Sequence, residues 1–164
     1  MKKLMIGLLS VLAAFSVLGA TNSPSLYNAG ELGLNVSSGY SLSSLSKFQE
    51  AYSLNFAGGL FYFPYKNLGV EVNVPFYQTK GVSVSEVQAD VLFRVPVGHL
   101  AVYTGLGGVY NWNSGTDWAY LAKAGAEWRF NSKWSVFSEY QYRNTDFNWG
   151  KGSGSVVAGF RLVF

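Results

Sequence analysis

Ser155-Val156-Val157-Ala158-Gly159-Phe160-Arg161-Leu162-Val163-Phe164 is the stretch whose reading decides the fold. Alternate positions back from Phe164 are Leu162, Phe160, Ala158 and Val156, all without polar side chains. Between them lie Val163, Arg161, Gly159, Val157 and Ser155. Successive side chains of a strand point to opposite faces, so this period of two describes a strand with one apolar and one mixed face.

The other end of the sequence gives that strand a context. Met1-Lys2-Lys3 precedes an apolar run from Leu4 to about Ala20, with small residues at Gly19-Ala20. A short basic region, a hydrophobic segment and small residues read as a secretory signal peptide over 1–20, cleaved near Ala20 and leaving 21–164 as one domain. An exported chain with such a strand points to a β-barrel of the bacterial outer membrane, in a Gram-negative cell envelope. Without Lys2 and Lys3 the basic residues fall from 12 to 10 against 9 acidic, so the basic pI owes much to the leader. No basic run suggests nucleic acid. There is no cysteine, so an exported domain must hold by its sheet and its packing. Aromatic residues make up 17% and charged residues only 13%, against about 25% charged in ordinary soluble domains. Something other than water is expected to cover much of the surface.

Turn signals divide the mature sequence into eight alternating segments. They run from about Glu31 to Tyr40, Tyr52 to Phe63, Leu68 to Tyr77, Ser85 to Val95, Leu100 to Trp112, Trp118 to Phe130, Trp134 to Arg143 and Gly154 to Phe164. Pro64-Tyr65-Lys66-Asn67, Pro96-Val97-Gly98-His99 and Asn131-Ser132-Lys133 read as tight turns. The connections Ser41 to Ala51, Gln78 to Val84, Asn113 to Asp117 and Asn144 to Ser153 are polar and mostly longer. Short turns at one end and longer loops at the other describe an all-β, eight-stranded, antiparallel, up-and-down transmembrane β-barrel, with its turns in the periplasm.

No charged residue falls on the apolar parity of any segment. A soluble ligand-binding barrel would turn that parity inward, and a membrane barrel turns it toward lipid. Eight strands leave an interior only wide enough for side chains. The other parity carries Gly33, Gly59, Gly69, Gly105, Gly107, Gly125 and Gly159 among its charges. Small and polar residues suit a narrow lumen, so the bulky set is expected outside. The aromatics also group by height. Tyr62, Tyr65, Trp128, Phe130, Trp134 and Phe164 lie at the short-turn end, and Tyr40, Tyr52, Phe76, Tyr110, Trp112, Trp118 and Tyr142 at the long-loop end. Two belts of rings suit the two interfaces of a bilayer.

The hairpin Gly125-Ala126-Glu127-Trp128-Arg129-Phe130-Asn131-Ser132-Lys133-Trp134-Ser135-Val136-Phe137-Ser138-Glu139-Tyr140-Gln141-Tyr142 resembles the penultimate hairpin of small eight-stranded outer-membrane proteins. These include the membrane domain of outer membrane protein A, outer membrane protein X and the opacity-type proteins. The resemblance implies insertion by the barrel-assembly machinery through the last strand, with Phe160, Leu162 and Phe164 as the C-terminal insertion signal. A narrow gated ion path is also what the likeness to outer membrane protein A allows.

Inside such a lumen the sequence places Glu71, Glu86, Asp90, Glu127 and Glu139 against Arg94, Lys123, Arg129, Arg143 and Arg161. Equal numbers of each sign allow a closed ion-pair network, which buried charges require. A catalytic triad would need its histidine near a serine and a carboxylate, and the one histidine, His99, sits in a turn. Neither a metal-ligand cluster nor a Walker-spaced phosphate loop is present, so no enzyme activity and no cofactor are expected. The expected role is structural or surface-interacting, by a monomer in contact with outer-membrane lipids and lipopolysaccharide. Lys47, Lys80 and Lys151 are loop positions able to meet lipopolysaccharide phosphates. The alternatives are a low-conductance gated pore, then a lipid-modifying enzyme or a soluble ligand-binding barrel.

Overall fold

The computed structural model describes residues 26–41, 55–78, 82–84, 86–112, 117–144 and 152–164. The expected leader, 1–20, and the loop lysines Lys47, Lys80 and Lys151 lie outside the described residues. The strands are β1 (Glu31–Ser41), β2 (Asn55–Phe63), β3 (Leu68–Gln78), β4 (Val82–Val84), β5 (Glu86–Val97), β6 (Leu100–Asn111), β7 (Asp117–Arg129), β8 (Trp134–Asn144) and β9 (Ser153–Val163).

All pairings are antiparallel, and each strand pairs with its neighbours in sequence, except that β4 and β5 do not pair with each other. β1 pairs with β2 on one side and with β9 on the other, from Gly33↔Val163 to Ser41↔Ser155, which closes the ring. Both β4 and β5 pair with β3. They form one stave, so the sheet is an eight-stranded up-and-down barrel. Phe76 opposes Val84 and Asn73 opposes Gln88, so this stave carries one residue more than β3 over that stretch. That is a β-bulge near the barrel rim, where a bulged strand bends and twists more strongly. Closure leaves no sheet edge, the condition for a sheet to stand in hydrocarbon.

Two boundaries differ from the sequence reading. Pro96 and Val97 belong to β5, and only Gly98 and His99 turn the chain. The Val97↔Leu100 pair brackets this two-residue reversal, with Gly98 at φ 62°, a region that glycine enters freely. The connection read as Gln78 to Val84 is also shorter, because Gln78 ends β3 and Val82–Val84 pairs back onto it. At Asn131 the side-chain oxygen accepts from the backbone N–H of Lys133 (2.9 Å) and Trp134 (3.0 Å), an Asx turn that sets the β7–β8 reversal.

Exposure alternates along the staves. Leu106 and Phe160 are 70% and 59% exposed, while Arg161 and Leu92 are 1% and 0% exposed. Thus the row of Val, Leu and aromatic side chains faces outward and the charged row faces the axis. Of the two aromatic groups, Tyr52 lies outside the described residues; Tyr65, Phe130, Trp134 and Phe164 are exposed on this outer surface at the short-turn end and Tyr40, Trp112 and Trp118 at the long-loop end.

The expectation that bulk stays outside is corrected by the lumen. Phe61, Phe63, Leu92, Tyr103, Leu121 and Phe137 are all buried there. The glycines make room for them. Phe63 lies over Gly69, Phe61 over Gly33, Tyr103 over Gly125 and Phe137 over Gly159. A narrow barrel therefore accepts large rings wherever the adjacent stave supplies a bare backbone. A methyl group on Gly125 would stand 2.6 Å from the Ser138 carbonyl oxygen, 2.7 Å from Glu139 Cβ and 2.8 Å from the Tyr103 ring. Gly125→Ala is expected to destabilise the barrel by about 1–3 kcal/mol through overpacking. Gly58→Ala faces outward, with its nearest neighbour at 3.8 Å, and is expected to be nearly neutral. Urea titration of both variants in vesicles checks the contrast, and equal midpoints would contradict it.

Candidate functional site: the lumen

Lumen chemistry follows from parity and register together. Glu71, Glu86, Asp90, Arg94, Lys123, Glu127, Arg129, Glu139, Arg143 and Arg161 all point inside the ring. Four of the acids share a local pattern, Glu71-Val72-Asn73, Glu86-Val87-Gln88, Glu127-Trp128-Arg129 and Glu139-Tyr140-Gln141. Residues two apart share a face of a strand. Each of these carboxylates accordingly accepts from the donor two residues on, at 2.6 Å from Asn73, 3.1 Å from Gln88, 3.1 Å from Arg129 and 2.7 Å from Gln141. This Glu-x-donor repeat is a signal the sequence reading missed.

The cations join the staves. Lys123 Nζ stands 2.7 Å from Glu71, 2.9 Å from Asp90 and 4.0 Å from Glu139. Glu71 and Asp90 are direct cross-strand neighbours. Like charges in that position repel, and the shared ammonium offsets the repulsion. Arg161 reaches Glu71 at 2.6 Å and Glu127 at 2.7 Å. Arg129 bonds both Glu127 (3.1 Å) and Glu31 (2.7 Å), and Arg94 bonds Glu31 at 2.7 Å. An unbroken run of contacts therefore leads from Arg94 through Glu31, Arg129, Glu127, Arg161, Glu71 and Lys123 to Asp90. Glu86 and Arg143 pair at 2.8 Å nearer the long-loop end. Glu31 is a member the sequence reading left out. It opens β1 on the same parity as Gly33 and Asn35, which was the available clue.

Aromatic rings are interleaved with the guanidiniums. Arg94 lies 3.7 Å from the Phe63 ring centre, and Arg161 lies 4.4 Å from Phe137 and 5.0 Å from Tyr103. Buried cation–π contacts of this kind are worth up to about 2 kcal/mol each. The Tyr103 hydroxyl donates to Glu139 at 2.7 Å. Glu71, Glu139, Asn73, Gln88 and Gln141 border a cavity of about 10 Å³, space for one water.

His99 lies at the short-turn end. Its Nδ1 is 2.8 Å from the Arg129 carbonyl oxygen and its ring stacks on Trp128 at 5.7 Å. Because a carbonyl only accepts, that nitrogen carries the proton. Among the described residues no group of three or more His, Cys, Asp or Glu is arranged to hold a metal ion.

No family model matches the chain. No curated protein matches it either. In structure it is similar to the N-terminal β-barrel domain of OprF from Pseudomonas aeruginosa, with a TM-score of 0.66 and 11% identity over 84% of this chain and 99% of that one. It is similar to Ail, the attachment invasion locus protein of Yersinia pestis, with a TM-score of 0.54 and 16% identity over 83% of this chain and 99% of that one. A de novo designed transmembrane β-barrel gives a TM-score of 0.56 and 21% identity over 83% of this chain and 97% of that one. At these identities the likeness is one of fold, and the fold is that of the small eight-stranded outer-membrane β-barrels.

Proposed function

We propose that this chain is an integral outer-membrane protein whose barrel, formed from 21–164 after removal of the leader, stands in the bilayer as a closed wall with a structural or surface-interaction role. One observation carries the reading. Among the described residues, the lipid-facing positions of all eight staves are uncharged, while Glu31, Glu71, Glu86, Asp90, Arg94, Lys123, Glu127, Arg129, Arg143 and Arg161 pair with one another in the lumen. That is the partition a bilayer imposes, since charge facing hydrocarbon is costly and buried charge needs a partner. The ion-pair network fills the axis and acts as a plug, so the barrel does not conduct. The short-turn end faces the periplasm, and the partners are outer-membrane lipids, lipopolysaccharide and the barrel-assembly machinery. The barrel acts as a monomer. It is not a catalyst, since His99 is engaged with a backbone carbonyl and a tryptophan ring.

Planar-bilayer recording tests this directly. The purified barrel is expected to give no steady single-channel steps. Reproducible steps would favour the narrow gated pore instead. Membrane fractionation is expected to place the protein with the outer membrane, and recovery as a soluble, detergent-free protein would contradict the reading.

A further inference from the structure

The residues just ahead of β1 are not a free tail. Leu26–Gly30 turns into the short-turn mouth of the barrel. Tyr27 is 1% exposed, and the one proton of its hydroxyl is shared between the carbonyl oxygens of His99 (3.1 Å) and Glu127 (3.0 Å). Two guanidiniums attend its ring, Arg129 at 4.1 Å and Arg94 at 4.9 Å from the centre. The carbonyl oxygen of Leu26 accepts from Arg129 at 2.9 Å, and that of Asn28 accepts from Arg94 at 3.1 Å. The Asn28 N–H donates to Glu31 at 2.6 Å. Gly30, at φ 80°, makes the bend into β1, and its N–H donates to the Phe63 carbonyl at 2.7 Å. Burial pushes the Tyr27 hydroxyl up from its ordinary pKa, with Glu127 adding to the shift and the three arginines opposing it. The group therefore stays protonated and keeps donating.

These contacts are directed at the same residues that end the ion-pair run. Arg94, Arg129 and Glu31 are the charges nearest that mouth, and the segment gives them carbonyls, an N–H and a ring face where water would otherwise stand. We propose that Leu26–Gly30 is a strap that closes the short-turn mouth, with Tyr27 as its latch. Water and ions on that side reach the Glu31–Arg129–Glu127 cluster only when the strap lifts. The inference rests on the reading of the barrel as closed to solution.

The sequence has no cysteine, so an introduced thiol reports one site alone. Ala101 is 0% exposed and opposes Glu127 in the register, beneath the strap. Ala101→Cys in the folded barrel in vesicles is treated with a small cationic methanethiosulfonate reagent. Its labelling is compared in backgrounds carrying Tyr27, Tyr27→Phe or Tyr27→Ala, each checked for folding by heat-modifiable gel mobility. Labelling is expected to be slow with Tyr27 and at least about tenfold faster with Tyr27→Ala, as local opening becomes easier. Tyr27→Phe keeps the ring and loses the two hydroxyl contacts, so an intermediate rate is expected even if Tyr27→Ala fails to fold. A thiol at Ser155→Cys, toward the other end, is expected to keep its rate throughout. Fast labelling with Tyr27 present, equal rates in all backgrounds, or parallel acceleration at Ser155→Cys would each overturn the strap. Steady current through the Tyr27 barrel overturns the closed-barrel reading as well, whereas a silent barrel with unchanged labelling rates overturns the strap alone.

Discussion

Arg161→Ala is expected to lower the unfolding free energy of the barrel by about 3–5 kcal/mol, because Glu71 and Glu127 then keep one cation each, Lys123 and Arg129, and the lumen gains an uncompensated negative charge. Arg161 is 1% exposed and holds Glu71 and Glu127 at once, at 2.6 and 2.7 Å. Its guanidinium also lies against Phe137 at 4.4 Å. Lost packing and a stranded charge predict different partners for rescue. If charge dominates, adding Glu71→Gln to Arg161→Ala recovers part of the loss, because the excess negative charge in the lumen is gone while Lys123 keeps Asp90. If packing dominates, Arg161→Met recovers more. Urea titration in vesicles, followed by tryptophan fluorescence, reads both. A midpoint for Arg161→Ala equal to that of the parent would remove the network as a source of stability.

Leu106→Arg should cost about 2–4 kcal/mol, the measured range for a cation on the lipid face of a barrel near the bilayer midplane. Leu106 lies near the centre of β6 and is 70% exposed on the outer face. The size of this effect decides which way the barrel is turned. On a soluble barrel a residue so exposed would tolerate arginine within about 0.5 kcal/mol. Leu106→Met keeps the apolar surface and is expected to stay close to the parent. Equal stability of Leu106→Arg and Leu106→Met in vesicles would contradict a lipid-facing Leu106.

The parity of the staves was legible because it depends only on alternation, and alternation survives any error in strand ends. For this reason Lys123, Arg161 and Glu71 could be assigned to one interior before any pairing was known. Pairing itself was not legible. That Lys123 lies between Glu71 and Asp90 follows from the β3–β5, β5–β6 and β6–β7 registers, which single-strand patterns do not contain. Glu31 was overlooked because it stands at the first position of β1, where a segment boundary hides its parity. Phe61 and Phe63 look like lipid-facing residues by type. Only the matching glycines on the neighbouring staves, Gly33 and Gly69, make room for them inside. Tyr27 carries no periodic signal at all. Its placement depends on the bend at Gly30 and on two arginines far along the chain.

Glu31 on the first stave serves Arg94 and Arg129, which lie 63 and 98 residues further along. Until the later staves arrive, Glu31 and Arg94 have no charged counterpart, whereas Arg129 carries Glu127 on its own strand. A sequential thread of single hairpins into hydrocarbon would carry Glu31 and Arg94 across unpaired. On the proposed reading, the unfinished sheet is sheltered until its first and last staves meet, and a version ending after β3 is expected not to lodge in lipid.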